Sequence, residues 1–354
     1  MKLTAVVKLN TTKEQCANML QTMEQFNAAC DYIAQVAFAK KIANKFALQK
    51  MIYYDVREQF GLSAQMAIRA IAKVSEVYKR DKHIQPSFRP HGAMVFDQRI
   101  LSRKGADHVS LLTLSGRIVV PFRSGTHQTM LLSRPWAQAD LLYRDNTFYL
   151  SVSVDVSEPA TNEPDGFIGV DLGIVNIATT SDGESFAGNH IQNVRARFSR
   201  LRAKLQHKGT KSSKRLLKKR SGRERRFQKD VNHCISKAIV TQAKDTQRGI
   251  ALEDLKHIRS RVTVRKGQRR VIHSWAFAQL RTFVEYKALL AGVRVVAVDP
   301  RNTSRTCPIC GCIDKGNRPN QATFSCVACG YAANADHNAA LVISARAGLP
   351  CHAA

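Results

Sequence analysis

The sequence predicts a multidomain chain, α+β in its N-terminal half and α/β in its C-terminal half. Three observations predict it. Helix-spaced apolar residues fill a block near the N-terminus, flanked by segments of strand-like alternation. From residue 167 onward, short apolar runs alternate with helical patterns. Near the end, four cysteines fall in two Cys-x-x-Cys pairs, the mark of a locally folded metal module.

Taken in order, residues 1–9 (MKLTAVVKL) read as a strand. Thr11-x-x-Glu14 reads as a capping box that opens a helix. In that helix Cys16, Met19, Leu20, Met23, Phe26, Cys30, Ile33 and Ala37 recur at helical spacing, the Cys and Met residues as core filler. A second helical pattern follows Ser63 through Ala67, Ile71, Val74 and Tyr78, so a helical domain is expected over 11–91. Residues 111–122 and 141–156 alternate around Ser-Gly and Asp-Asn turns and read as β-hairpins. They predict a β domain over 92–160, joined by strand 1–10, with a Pro- and Asn-containing linker at 158–166.

FIGVDLGIVNIATTSDG (167–183) reads as paired strands, and IALEDL (250–255) as a buried strand. Between them, residues 195–229 carry sixteen Lys/Arg and a single acid, Glu224. Broken by Gly209 and Ser212–Ser213, this run reads as a hairpin of two basic helices. Residues 274–300 read as an amphipathic helix, a stop at Gly292 and another strand, and a short helix finishes the chain.

The chain holds 55 Lys+Arg against 27 Asp+Glu in 354 residues, a net charge of +28. Such an excess calls for a polyanionic partner, with nucleic acid first and a merely solubilising basic surface as the alternative. Phosphate contacts are expected from Arg195, Arg197, Arg200, Arg202, Lys204, Lys214, Arg215, Lys218, Lys219 and Arg220, and from Arg301 and Arg305 near the cysteine block. The alternative for the hairpin is a solvated charged face. No aromatic ladder interleaves the run, so base stacking is not expected there. No signal-peptide pattern and no stretch of 18 apolar residues occurs, so a reducing cytoplasmic location without membrane contact is expected.

Cys307-Pro-Ile-Cys310 and Cys326-Val-Ala-Cys329 are separated by fifteen residues, the spacing of a closed, structural four-thiolate Zn²⁺ site. A redox pair or an iron site are the alternatives. Gly311 and Gly330, directly after each pair, permit the tight turns that converge the sulfurs. Three acids lie where carboxylates are costly unless paired or metal-bound: Asp171 in an apolar strand, Glu253 at the end of another, and Asp336 at the start of a helix. Taken singly, each also reads as a cap or a buried ion pair. Asp254 points to the opposite strand face from Glu253, so only one of the two can join a common site.

The half from Phe167 onward resembles the transposon-encoded TnpB family, relatives of the type V CRISPR effector nucleases. The resemblance rests on GVDLGIVNIA, IALEDL, HSWAFAQLRTFVEYKALLAGVRVVAVDPRNTSRTCPICG and FSCVACGYAANADHNAA, and covers about half of the chain. It implies an RNase H-like (RuvC) nuclease domain over 161–302 and 334–354, with the zinc ribbon inserted over 303–333. The N-terminal half would form a β-barrel wedge domain (1–10 and 92–160) with an inserted helical recognition domain (11–91). Asp171, Glu253 and Asp336 would be the catalytic acids, holding two Mg²⁺ ions, with one Zn²⁺ on the four cysteines. The ribbon would return the chain so that Asp336 joins the other two acids. The partners implied are a guide RNA from the transposon end, one protein chain per RNA, and a double-stranded DNA target cut beside a short transposon-adjacent motif. His337 and Asn338 read as phosphate-orienting residues or as helix caps. A non-cleaving RNA-guided regulator or a transposition accessory protein are the alternatives, and the presence of all three acids argues against the first.

Overall fold

The computed structural model describes residues 1–81, 83–161, 163–173, 175–254 and 277–348, with Phe277 by its backbone. Leu255, the expected helix start at 274–276 and the final residues with Cys351 lie outside the described residues. The chain divides into two compact units, Met1–Ser157 and Glu158–Ala354, and both mix helices with sheet. No described helix is long and apolar enough to cross a membrane.

In the first unit, seven strands form an antiparallel sheet: β1 (Lys2–Leu9), β2 (Met94–Phe96), β3 (Leu101–Lys104), β4 (His108–Thr113), β5 (Gly116–Arg123), β6 (Trp136–Arg144) and β7 (Thr147–Asp155). Their order is β2-β6-β7-β1-β5-β4-β3, so the first strand of the chain lies at the centre. Alternation drives its placement: Ala5, Val7 and Leu9 are buried while Lys2, Thr4 and Lys8 face out. The Asp145-Asn146 turn between β6 and β7 has both residues at positive φ, 49° and 56°. That is the two-residue geometry whose twist suits a hairpin, and Asp and Asn tolerate it best among non-glycine residues.

Three helices, α1 (Lys13–Lys40), α2 (Lys45–Phe60) and α3 (Ala64–Tyr78), fill the segment between β1 and β2, and the short α4 (Thr126–Leu132) follows β5. The capping box of α1 is one residue later than expected. Thr12, not Thr11, caps the helix, and its partner is Gln15, not Glu14, with reciprocal bonds of 3.1 Å. Cys30 is fully buried and its thiol is pushed up to about 12 by burial, as suits core filler. Helix α2 has no clear signature in the sequence because it buries only Leu48, Ile52 and Val56 while exposing Phe46 and Tyr54.

In the second unit, a five-stranded sheet has the order β10-β9-β8-β11-β12. Its strands are β8 (Phe167–Asp171), β9 (Asn176–Thr180), β10 (Ser185–Ala187), β11 (Gly249–Glu253) and β12 (Val295–Val298). The first three pair antiparallel, and β8, β11 and β12 run parallel. Helices α5 (Asn189–Lys208) and α6 (Lys211–Asp245) form the basic hairpin, turned at Gly209 with φ 64°. With α7 (Phe277–Ala291) they cover one sheet face, where Ile168, Val170, Ile250 and Leu252 meet Ile235, Ile239, Leu280 and Val284.

The opposite face carries α8 (Ala335–Ala347). It packs against β8 at Gly169, where an added Cβ would lie 2.0 Å from the Ala340 carbonyl oxygen and 2.5 Å from the Ser344 nitrogen. Only glycine permits that approach. The Ser344 hydroxyl donates to the Phe167 carbonyl at 2.6 Å and fixes the helix in register. Between β12 and α8 lies a small module with a two-stranded sheet, β13 (Thr323–Ser325) and β14 (Ala332–Asn334).

Gly169→Val is therefore expected to force α8 off the sheet and to cost about 3 kcal/mol. A clear fall in the thermal midpoint, followed by circular dichroism on the zinc-loaded chain, is the expected result.

Candidate metal centres

The period of two along a strand decides which side chains face α8. On β8, Ile168 and Val170 enter the core, so Gly169 and Asp171 face the helix; on β11, Ile250 and Leu252 enter the core, so Ala251 and Glu253 do. Val170 pairs with Leu252 in parallel register, which places Asp171 and Glu253 one step further at the same strand end. Asp336 sits in the first turn of α8, one turn ahead of the Ala340 carbonyl that meets Gly169. Carboxylates from three elements thus converge at the carboxyl ends of two interior strands of the sheet. Asp254 takes the other face, where the Arg281 Nη1 donates to it at 3.2 Å.

The electrostatics record that convergence. Burial raises the Asp171 carboxyl to about 7, and the neighbouring charges of Glu253 and Asp336 push in the same direction. Glu253 is also raised by burial, with the Thr303 hydroxyl bond and the charge of Arg346 pulling back. Half-buried, mutually repelling carboxylates offer hard oxygen donors to a cation of the Mg²⁺ class, whose charge would relieve the repulsion.

Four further residues hold this site, and none is marked by the sequence patterns. Asn176 donates through Nδ2 to Asp336 Oδ2 at 2.9 Å. Thr303, buried at the mouth of the cysteine module, donates to Glu253 Oε1. Arg318, from the same module, has its Nη2 3.7 Å from Asp336 Oδ1, and its charge pulls the Asp171 carboxyl back down. Arg346 on α8 donates to the Asp299 and Arg301 carbonyls at 2.8 Å and ties down the loop that carries Thr303. The cap of α8 is Asn334, whose side chain accepts from the Asp336 and His337 amides. His337 and Asn338 are not caps: Nδ1 of His337 lies 3.4 Å from the Thr180 carbonyl, and buried Asn338 donates to the Thr306 carbonyl at 3.1 Å.

The cysteine centre is a second, softer donor set. Sγ atoms of Cys307, Cys310, Cys326 and Cys329 all lie within 4.8 Å of one another, with Cys307–Cys329 at 3.6 Å and Cys310–Cys326 at 3.5 Å. Tetrahedral Zn²⁺ with bonds of about 2.3 Å requires sulfurs roughly 3.8 Å apart, so the thiols fit it. Both pairs sit on the same turn. The Gly311 amide donates to the Cys307 carbonyl and the Gly330 amide to the Cys326 carbonyl, each at 3.0 Å, with φ of 74° and 71°. Backbone amides of Cys329 and Ala328 pull the Cys326 thiol down to about 6, toward the thiolate a metal needs. Asn317, fully buried, joins the two turns: its Nδ2 donates to the Arg305 and Cys312 carbonyls, and its Oδ1 accepts from the Val327 amide at 2.9 Å.

The expected phosphate contacts divide. On the hairpin, Arg197, Arg200, Lys204, Lys214, Arg215, Lys218 and Lys219 are exposed. Arg202 is exposed but engages Glu224 at 2.6 Å, Arg220 is half-buried, and Arg195 is half-buried with its guanidinium pKa lowered by burial. Arg301 and Arg305 are both exposed, the first near Asp299 at 3.9 Å.

Two predictions follow from the two centres. The folded pKa of Asp171 exceeds its unfolded value, so without divalent cation its charge lowers stability as pH rises from about 4 to 7, and the full cost persists above that. Asp171→Asn is expected to stabilise the fold by up to about 4 kcal/mol in Mg²⁺-free buffer at pH 8, read as a higher melting temperature, with the gain vanishing toward pH 4. Asn317→Ala leaves every thiol in place yet is expected to weaken zinc binding by about 10–100-fold in chelator competition.

Comparison with known proteins places the chain. A family model described as a probable transposase matches residues 150–257, and one described as the Cas12f1-like TNB domain matches residues 277–343. The CRISPR-associated endodeoxyribonuclease Cas12f1 of Sulfoacidibacillus thermotolerans is 30% identical over 296 residues, covering 74% of this chain and 68% of that protein. The putative RNA-guided DNA endonuclease InsQ of Escherichia coli K12 is 28% identical over 371 residues, covering 93% of this chain and 90% of its own. In fold, the chain is similar to a cryo-EM structure of a Cas12f1–sgRNA–target DNA complex, with a TM-score of 0.66 and 17% identity over 92% of this chain and 82% of that one. The chain belongs to the family that unites the TnpB proteins with the Cas12f1 endodeoxyribonucleases.

Proposed function

We propose that the chain is an RNA-guided DNA endonuclease of a transposable element, cutting double-stranded DNA beside a short adjacent motif at one RNase H-like site. The observation that carries this reading is the convergence of Asp171, Glu253 and Asp336 on the α8 face of the sheet. The strand order, with three antiparallel strands followed by two parallel ones, supports an RNase H-like (RuvC) domain over 161–302 and 334–354. The four-cysteine module between β12 and α8 supports a zinc ribbon over 303–333 inserted in it. The names of the relatives support guide RNA and target DNA as partners; to these we add one chain per RNA and a cytoplasmic setting. On this reading the first unit is a wedge (1–10 and 92–160) holding a helical recognition domain (11–91), and the exposed cations of the α5–α6 hairpin track a phosphate backbone.

The chemistry is phosphodiester hydrolysis. Two Mg²⁺ ions held at the three acids would supply the acidity that makes water a nucleophile and the charge that stabilises the leaving 3′ oxygen. Asp171, Glu253 and Asp336 bind and orient those ions, and no side chain forms a covalent intermediate. Arg318 brings a positive charge to the same strand ends, where the attacked phosphate gains negative charge.

The test begins with purification of the chain from cells carrying its native flanking DNA, followed by sequencing of the bound RNA. One defined RNA mapping to the 3′ end of the gene and running past it is expected. With that guide, the chain should cut duplex DNA in Mg²⁺, whereas Asp171→Ala should bind the same RNA and leave the duplex intact. A heterogeneous RNA mixture would sink the guided reading, and unchanged cleavage by Asp171→Ala would sink the site.

A further inference from the structure

Between β3 and the start of β6 the first unit holds a pocket of about 370 Å³. A β-bulge makes one wall of it. Gln138 pairs with Ser153 on β7, yet Trp136 pairs with the very next residue, Val154, so Ala137 is extra. Alternation from Leu142, Asp140 and Gln138 would place residue 136 on their face of the sheet. The bulge turns Trp136 instead to the face of buried Val154, at the rim of the core, where it stays half-exposed. Its Nε1 then donates to the Leu132 carbonyl at 3.0 Å. The same carbonyl accepts from Arg103 Nη1 at 2.8 Å, and Arg103 Nε donates to the Gly105 carbonyl at 2.8 Å.

Indole and guanidinium are thus fixed side by side in the pocket wall. Arg134 also lines the pocket, and among the described residues its guanidinium has no hydrogen bond or ion pair. Gln138 offers a second unused side chain, an amide that can both donate and accept. Asp97, the one acid in the lining, is already neutralised by Arg69 at 3.0 Å. The volume lies near the low end of ligand pockets, about 300–1,000 Å³, which admits one flat ring with its sugar and shuts out a paired duplex. A flat ring, an anion and a polar edge are together the parts of a nucleotide. Unstacked bases are held by aromatic and guanidinium surfaces of this kind.

We infer that this pocket is a binding site for one unpaired nucleotide of a single-stranded nucleic acid, its base against Trp136 and its phosphate on Arg134. Its role is to hold a strand rather than to cut one, and it stands whether or not the acids of the second unit take metal. Single strands of RNA and DNA share the chemistry of base and phosphate and differ at the sugar.

The experiment uses the full zinc-loaded chain in a Trp275→Phe background, which leaves Trp136 as the sole tryptophan. Its fluorescence is followed against mixed-sequence hexamers of RNA and of DNA, the same hexamers paired in duplex, and an abasic hexamer. Emission from Trp136 reports contact with the ring, so strands bound elsewhere on so basic a chain do not count. Quenching by a single strand, with little from the duplex or the abasic strand, is the expected result. The strand that half-quenches at the lower concentration, RNA or DNA, is the source. Arg134→Gln should raise that concentration about tenfold, the loss of one charged contact. Should the Trp275→Phe chain not fold, photochemical cross-linking of thiopyrimidine-bearing hexamers to the unsubstituted chain decides, with the adduct expected within residues 134–138. Quenching by neither single strand, equal quenching by the abasic strand or the duplex, an Arg134→Gln chain that binds as before, or an adduct only elsewhere overturns the inference. The cleavage reading is judged separately, by the Asp171→Ala comparison.

Discussion

Three like charges brought together at the carboxyl ends of two interior strands repel one another, and the second unit is arranged around holding them there. The repulsion is visible in Asp171, whose carboxyl is raised to about 7 by burial and by the other two acids. Holding Asp336 in the group requires α8 to lie nearly in contact with β8, and Gly169 is what makes that distance possible. The apolar core on the opposite face, where α5, α6 and α7 cover Ile168, Val170, Ile250 and Leu252, fixes which way each strand turns its acid. Stability is spent on one face and recovered on the other.

The two centres divide the work by donor chemistry. Soft thiolates would close around one ion and leave no position for substrate, while the hard carboxylates at the strand ends are only half-buried. The cysteine module is nevertheless joined to the acids. Its residues Thr303 and Arg318 reach Glu253 and Asp336, and Asn317 locks its two turns together. A zinc ion on the four cysteines would thus support the acid site at a distance, through the loop that carries these side chains.

Much of the architecture is legible in the sequence because it depends on short-range rules. The Asp145-Asn146 hairpin, the break at Gly209 between the basic helices and the cysteine turns at Gly311 and Gly330 all follow from local backbone chemistry. The α1 cap is displaced by one residue because Thr11-x-x-Glu14 and Thr12-x-x-Gln15 fit the capping pattern equally well, and the structure uses the second. Helix α2 hides because its buried stripe is three residues wide and large aromatics lie on its exposed face. Around the acids the limit is different. Asn176, Thr303 and Arg318 are ordinary polar residues whose importance arises only when the fold brings a carboxylate to them, from 160 residues away for Asn176. No periodicity encodes such a pairing.

The Ser344–Phe167 bond spans 177 residues and joins the first strand of the second unit to its last described helix. During synthesis, β8 and β11 leave the ribosome long before α8, so a growing chain carries Asp171 and Glu253 without Asp336. Closing so long a loop comes late in folding, after local helices and hairpins have formed. The acid cluster is therefore completed only once α8 has been made and has docked on β8. On the proposed reading of the acids, a nascent or truncated chain, already rich in Lys and Arg, would be chemically harmless to any RNA or DNA it meets.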